Sequence, residues 1–124
     1  MQKIKFDKID SMNIPYEEID EELRNLISVL NTLNGIKTLS CCCGHGKTPC
    51  EIYMAVKDLD NIRDFCFNYL NPFYNWHFEI ENNINRNQDY LILCLKSKSI
   101  NYDDVCKEIE KLTDKIFKDL ENER

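Results

Sequence analysis

Two pairs of short alternating segments, each followed by a helical stripe, constrain the fold of this chain more than any other feature. Residues 36–42 are β-branched at Ile36 and Thr38 and read as a strand. Residues 51–57 set Ile52, Met54 and Val56 against Tyr53 and Ala55, a second strand. Behind this pair, Leu59, Ile62, Phe65, Cys66 and Tyr69 recur at helical spacing, with Asp58 or Asp60 as cap and Pro72 as stop. Residues 76–81 set Trp76, Phe78 and Ile80 against His77, Glu79 and Glu81, which predicts a strand with one wet face. Residues 82–88 read as a polar turn, and residues 90–95 as an apolar strand covered on both faces. Val105, Ile109, Leu112, Ile116 and Leu120 form the stripe of a closing helix, capped by Ser99 or Asn101.

One more helix precedes these units. Pro15 suits its first position, Glu17, Glu18 and Asp20 suit its positive end, and Gly35 ends it. Its stripe is Ile19, Leu23, Leu26, Ile27, Leu30 and Leu33. Residues 2–6 offer a short edge strand, because Ile4 and Phe6 alternate with lysines. The expected fold is α+β: a four- or five-stranded, mainly antiparallel sheet with three helices mainly on one face. A ferredoxin-like arrangement or a permuted relative is the first topology to consider, with residues 1–124 as one domain. The expected core includes Leu23, Leu26, Ile27, Leu30, Trp76, Phe78, Ile92, Ile109 and Leu112. Cys66, Cys94 and Cys106 fall on these stripes and read as small buried hydrophobes.

Composition narrows the function classes. At 43% apolar content, the chain has material for a core. A net charge of −6 disfavours nonspecific binding to a phosphate backbone, so nucleic acid is not an expected partner. The start of the chain has no apolar signal core, and no stretch approaches a membrane span, so a soluble, cytoplasmic protein without a membrane partner is expected. Seven cysteines, three of them adjacent, fit reduced thiols better than a disulfide framework.

The chemistry concentrates in Cys41-Cys42-Cys43-Gly44-His45-Gly46-Lys47-Thr48-Pro49-Cys50. Cys43, His45 and Cys50 offer three zinc ligands, with Cys41 or Cys42 as a fourth. Cys42 or Cys43 beside His45 also suits a nucleophile with its base. The backbone N–H groups of Gly44, His45, Gly46 and Lys47 could form an anion nest. The same residues also suit a plain glycine-built hairpin turn over packed thiols. Gly46-Lys47-Thr48 lacks the glycine a P-loop needs five positions earlier, where Cys41 stands, and Pro49 leads into a strand rather than a helix. The acidic run 17–22 reads as a solvated helix start. His77 reads as a solvent-facing histidine, and Phe73, Tyr74, Trp76 and Phe78 as core or its rim.

Gly35-Ile36-Lys37-Thr38 followed by the cysteine turn resembles small uncharacterised proteins of low-GC bacteria and phages. These share a Gly-Ile-x-Thr strand and a Ser-Cys-x-Gly-His-Gly turn after a helix. Cys41 stands at the family's serine and Cys42 at its cysteine, and the likeness covers about residues 20–56. It implies no established activity. A more distant likeness is to the wybutosine-synthesising methylase-like family, which acts on transfer RNA with S-adenosylmethionine. Cys42 and Gly44 match its Ser-Cys-Ser-Gly-Arg turn, whereas Cys41, Cys43 and His45 replace its serines and arginine.

Two functions are therefore expected from one loop. The first is a binding module that holds a small anionic ligand or a partner peptide, using Cys42, Gly44, His45, Gly46 and Lys47. The alternative is a cysteine/histidine enzyme, or a zinc protein, using Cys42, Cys43 and His45.

Overall fold

A computed structural model describes residues 3–70, 75–80 and 88–122 of the chain. Three α-helices and four strands follow in the order α1 (Arg24–Leu30), β1 (Ile36–Cys42), β2 (Glu51–Val56), α2 (Leu59–Phe65), β3 (Trp76–Ile80), β4 (Leu91–Ser97) and α3 (Tyr102–Asn122). The strands form one sheet in the order β1-β2-β4-β3, with every neighbouring pair antiparallel. β2 and β3 thus run parallel with β4 between them, a split β-α-β unit built around α2. This is the α+β class that the two strand-strand-helix units predict.

The core lies between one sheet face and the helices. Leu23, Leu26, Leu30, Ile52, Met54, Leu93, Leu95 and Ile116 are all fully enclosed there. α1 and α3 pack on each other, and the expected α3 residues Val105, Ile109, Leu112 and Ile116 are buried. Of the expected core, Phe78 is half-buried and the other eight residues are buried. Among the stripe cysteines, Cys94 is buried, whereas Cys66 and Cys106 are half-buried.

The opposite sheet face divides into two halves. Phe6 and Ile9 pack over Leu39, Ala55, Tyr90 and Ile92, a second small apolar cluster. Lys37 fastens this cover by donating from Nζ to the Phe6 and Ile9 carbonyls at 3.1 and 2.7 Å. The other half is polar: Lys96 reaches Glu79 at 3.0 Å and Glu51 at 3.4 Å, and His77 reaches Glu79 at 3.2 Å. Cross-strand register explains the cluster, because Lys96 lies opposite both Glu51 and His77.

Several boundaries differ from expectation for identifiable reasons. Among the described residues there is no fifth strand; Ile4 makes a single bridge to Gln88, and residues Phe6–Lys8 turn as a 3-10 helix. The first helix does not run from Pro15. Two 3-10 turns, Tyr16–Glu18 and Glu21–Leu23, precede α1, with Ile19 and Asp20 extended between them. Arg24 holds this corner by donating from Nε to the Ile19 carbonyl at 3.0 Å and from an Nη to that of Glu17 at 2.9 Å. Asp58 caps α2 in a reciprocal capping box with Asn61, which leaves Leu59 outward and 68% exposed rather than on the inner face. A π-helical turn at Cys66–Leu70 follows. Asn101 caps α3, accepting the Asp104 N–H at 3.1 Å. Pro72, Phe73, Tyr74, Glu81 and most of the expected turn at 82–88 lie outside the described residues. No helix among the described residues is long and apolar enough to cross a membrane.

Candidate functional site

The site begins with a fault in β1. Thr38 pairs with Met54 and Ser40 with Tyr53, so Leu39 is an extra residue and the strand carries a bulge. The extra residue reverses the in-out alternation that Ile36 and Thr38 set. Cys41 now faces the core opposite Ile52, and Cys42 is exposed opposite Glu51. One step further, Cys43 turns inward and is only 3% exposed. The pleat thus puts Cys41 and Cys43 on the helix side and Cys42 on the opposite face.

The loop after Cys43 is a compact left-handed turn. Gly44, His45 and Gly46 have φ of 85°, 53° and 77°. Glycine supplies this geometry freely, and histidine is among the few other residues that take it. The turn returns Lys47 N–H and Thr48 N–H to the Gly44 carbonyl at 2.9 and 3.2 Å. A Cβ on Gly44 would collide with the Thr48 carbonyl, whereas one on Gly46 would meet only Tyr102 Cβ, at 3.7 Å. The N–H groups expected to form an anion nest are largely engaged. Gly44 N–H points to Cys42 Sγ at 3.4 Å, the His45 N–H bonds the Cys43 sulfur, and the Lys47 N–H closes the turn.

Asp20 completes the arrangement from the extended corner before α1. Its Oδ2 accepts the Cys43 N–H at 2.9 Å and lies 3.6 Å from His45 Nε2. Cys43 Sγ lies 3.4 Å from His45 Nδ1. One donor atom from each of Asp20, Cys43 and His45 falls within 4.8 Å of the other two. Glu22 approaches the same thiol and accepts the Tyr102 O–H at 2.7 Å. That bond holds the Glu22 carboxyl below the usual carboxylate range.

Electrostatics set the state of the thiols. Burial, with the Asp20 and Glu22 carboxylates adding to it, pushes the Cys43 thiol up to about 12; the His45 N–H only partly opposes this. Burial pushes Cys41 up to about 11 and raises Cys50 further. Cys43 is therefore a thiol at neutral pH, and its surroundings disfavour a bare thiolate.

Of the expected site residues, Cys43, Gly44, His45 and Gly46 are assembled at one corner. Cys42 lies on the opposite face, and Lys47 is exposed. Cys50 is wholly buried at the start of β2, where its N–H donates to Ser97 Oγ at 2.9 Å; it is not part of the three-donor group. His77 lies on the edge strand β3, separated from β1 by two strands. Asp20 is the residue that sequence reasoning missed. It sits between Ile19 and Leu23, both of which turn inward and carry it toward the sheet. Comparison of the chain with family models, curated proteins and solved structures returns no match.

Proposed function

We propose that the chain is a small binding module whose ligand is a cation, held where the 43–46 turn meets Asp20. The observation that carries this reading is the position of the Asp20 carboxylate, 2.9 Å from Cys43 N and 3.6 Å from His45 Nε2. Glu22 adds a second carboxylate beside the same thiol. An anionic ligand would meet both carboxylates and a turn whose N–H groups are already largely bonded. The geometry thus favours the opposite ligand charge from the one the glycine-rich turn suggests. Thiol, imidazole and carboxylate do follow one another in the order of a nucleophilic triad. Burial and two carboxylates, however, keep the proton on Cys43, so binding is favoured over thiol catalysis.

Thermal denaturation with zinc, calcium, spermidine and phosphate tests this reading. A ligand at about 100 times its dissociation constant stabilises by about 2.7 kcal/mol, a readily measured shift. At least one cation should raise the midpoint of the parent and do so less in Asp20→Asn. Stabilisation by phosphate alone, or no response to any cation, would overturn it.

A further inference from the structure

We infer that the cation is a transition metal of the zinc class, ligated by Asp20, Cys43 and His45. This inference rests on the cation-binding reading and narrows it. Its first support is the donor set. Sulfur, imidazole nitrogen and one carboxylate oxygen converge within 4.8 Å of one another. Calcium and magnesium take six or more oxygens, which this corner does not supply, whereas zinc takes this mixture of donors.

The second support is spacing. Zinc bonds of about 2.0–2.3 Å place tetrahedral ligands roughly 3.3–3.8 Å apart. Cys43 Sγ and His45 Nδ1 already stand 3.4 Å apart. The Asp20 oxygen faces the other ring nitrogen at 3.6 Å, so the imidazole must reorient for one nitrogen to meet both partners. That ring is 63% exposed, which leaves solvent space on one side of it.

Charge is the third support. A divalent ion with one thiolate and one carboxylate is neutral, which lowers the cost of holding charge at a partly buried corner. On binding, the Cys43 proton leaves to solvent and the sulfur–metal bond replaces the S–H bond. The His45 N–H that bonds the sulfur then supports the thiolate. The scaffold is already in place: the Asp20 carboxylate fixes Cys43 through its N–H, and the left-handed turn holds His45 two residues on.

Three protein ligands leave a fourth tetrahedral position for water or an exogenous donor. The ligand set also differs from Cys43, His45 and Cys50, the set that spacing suggests. Asp20 takes the place of Cys50, whose buried sulfur lies outside the donor group.

Cobalt titration of the purified full chain, followed by absorption spectroscopy, tests the inference. One cobalt per chain should bind, with a thiolate charge-transfer band in the near-ultraviolet and intense visible bands of a four-coordinate ion. Cys43→Ser should remove the charge-transfer band. His45→Asn keeps a residue that tolerates positive φ, so it tests ligation without risking the fold. It should weaken binding by more than the roughly 10–100-fold that loss of an outer partner costs. The band should persist in Cys66→Ser and Cys42→Ser. A band that survives Cys43→Ser, vanishes in Cys42→Ser, or ignores His45→Asn overturns the assignment. Asp20-dependent binding of calcium or spermidine with no cobalt–thiolate band overturns this inference but leaves the cation-binding reading standing. No response to any cation removes both.

Discussion

Asn31 and Thr38 clasp each other through two hydrogen bonds. Asn31 Nδ2 donates to Thr38 Oγ1 at 2.8 Å, and the Thr38 N–H donates to Asn31 Oδ1 at 2.9 Å. Asn31 ends α1, and Thr38 is the last regularly paired residue before the bulge. The Thr38 carbonyl also accepts the Met12 N–H at 2.6 Å. The helix end thus grips β1 at the point where its alternation reverses. Asn31→Ala would leave the buried Thr38 hydroxyl and N–H without these partners. The expected loss is about 1–3 kcal/mol of stability, measured by urea denaturation. Retention of full stability would show that the clasp contributes nothing.

The two glycines of the turn should differ. Gly46→Ala incurs only the left-handed backbone penalty of about 1–2 kcal/mol, because the added Cβ would make just an ordinary contact with Tyr102 Cβ at 3.7 Å. Gly44→Ala adds a collision with the Thr48 carbonyl and should cost distinctly more. Thermal denaturation of both variants decides this, and equal losses would contradict the described turn.

Leu26→Ala and Ile109→Ala should each cost about 2–5 kcal/mol, since both side chains lie in the shared core of α1 and α3. Chemical denaturation checks this. A loss below 1 kcal/mol at both sites would mean the helix faces are wrongly assigned.

Glu108 gives a pH dependence away from the site. Burial raises its carboxyl above the ordinary value of 4.5, and the Trp76 indole N–H, 2.8 Å away, partly opposes this. A raised folded value means the folded chain binds the proton more tightly than the unfolded chain. The contribution of Glu108 is therefore fully present below 4.5 and is lost as pH rises through the raised value. Glu108→Gln keeps an acceptor for Trp76 and removes the charge, so its stability relative to the parent should increase across that window. Trp76 is the sole tryptophan, so its fluorescence reports unfolding at each pH. A difference that stays flat with pH would contradict the assignment.

Neither ATP nor GTP should be hydrolysed. Lys47 and Thr48 pass through Pro49 into β2 rather than into a helix, so no helix N-terminus receives a phosphate there. Phosphate release that depends on Lys47 would contradict this.

Periodicity made the strands, α3 and most of the core legible, because apolar side chains declare their face. The bulge was hidden for the opposite reason. Only Ile36 and Thr38 set the phase of β1, and the cysteines that follow are small enough to suit either face. The corner before α1 was hidden too. Ile19 and Leu23 fit an unbroken helical stripe, and only the tertiary bonds of Arg24 and Asp20 break it. Reading 17–22 as a solvated helix start therefore concealed Asp20. The cysteine-rich turn itself was plain from composition, but which of its thiols meets His45 depended on the hidden bulge.

The bulge at Leu39 makes the identity of the reactive-side sulfur a matter of odd and even counting. Were Leu39 instead paired regularly with Tyr53, simple alternation would run through β1 and the three thiols would shift by one step of the pleat. Cys42 would then face Asp20 and the helices, while Cys43 would stand in solvent. A chain with every cysteine, histidine and carboxylate intact would present a different sulfur at a different distance from the same imidazole.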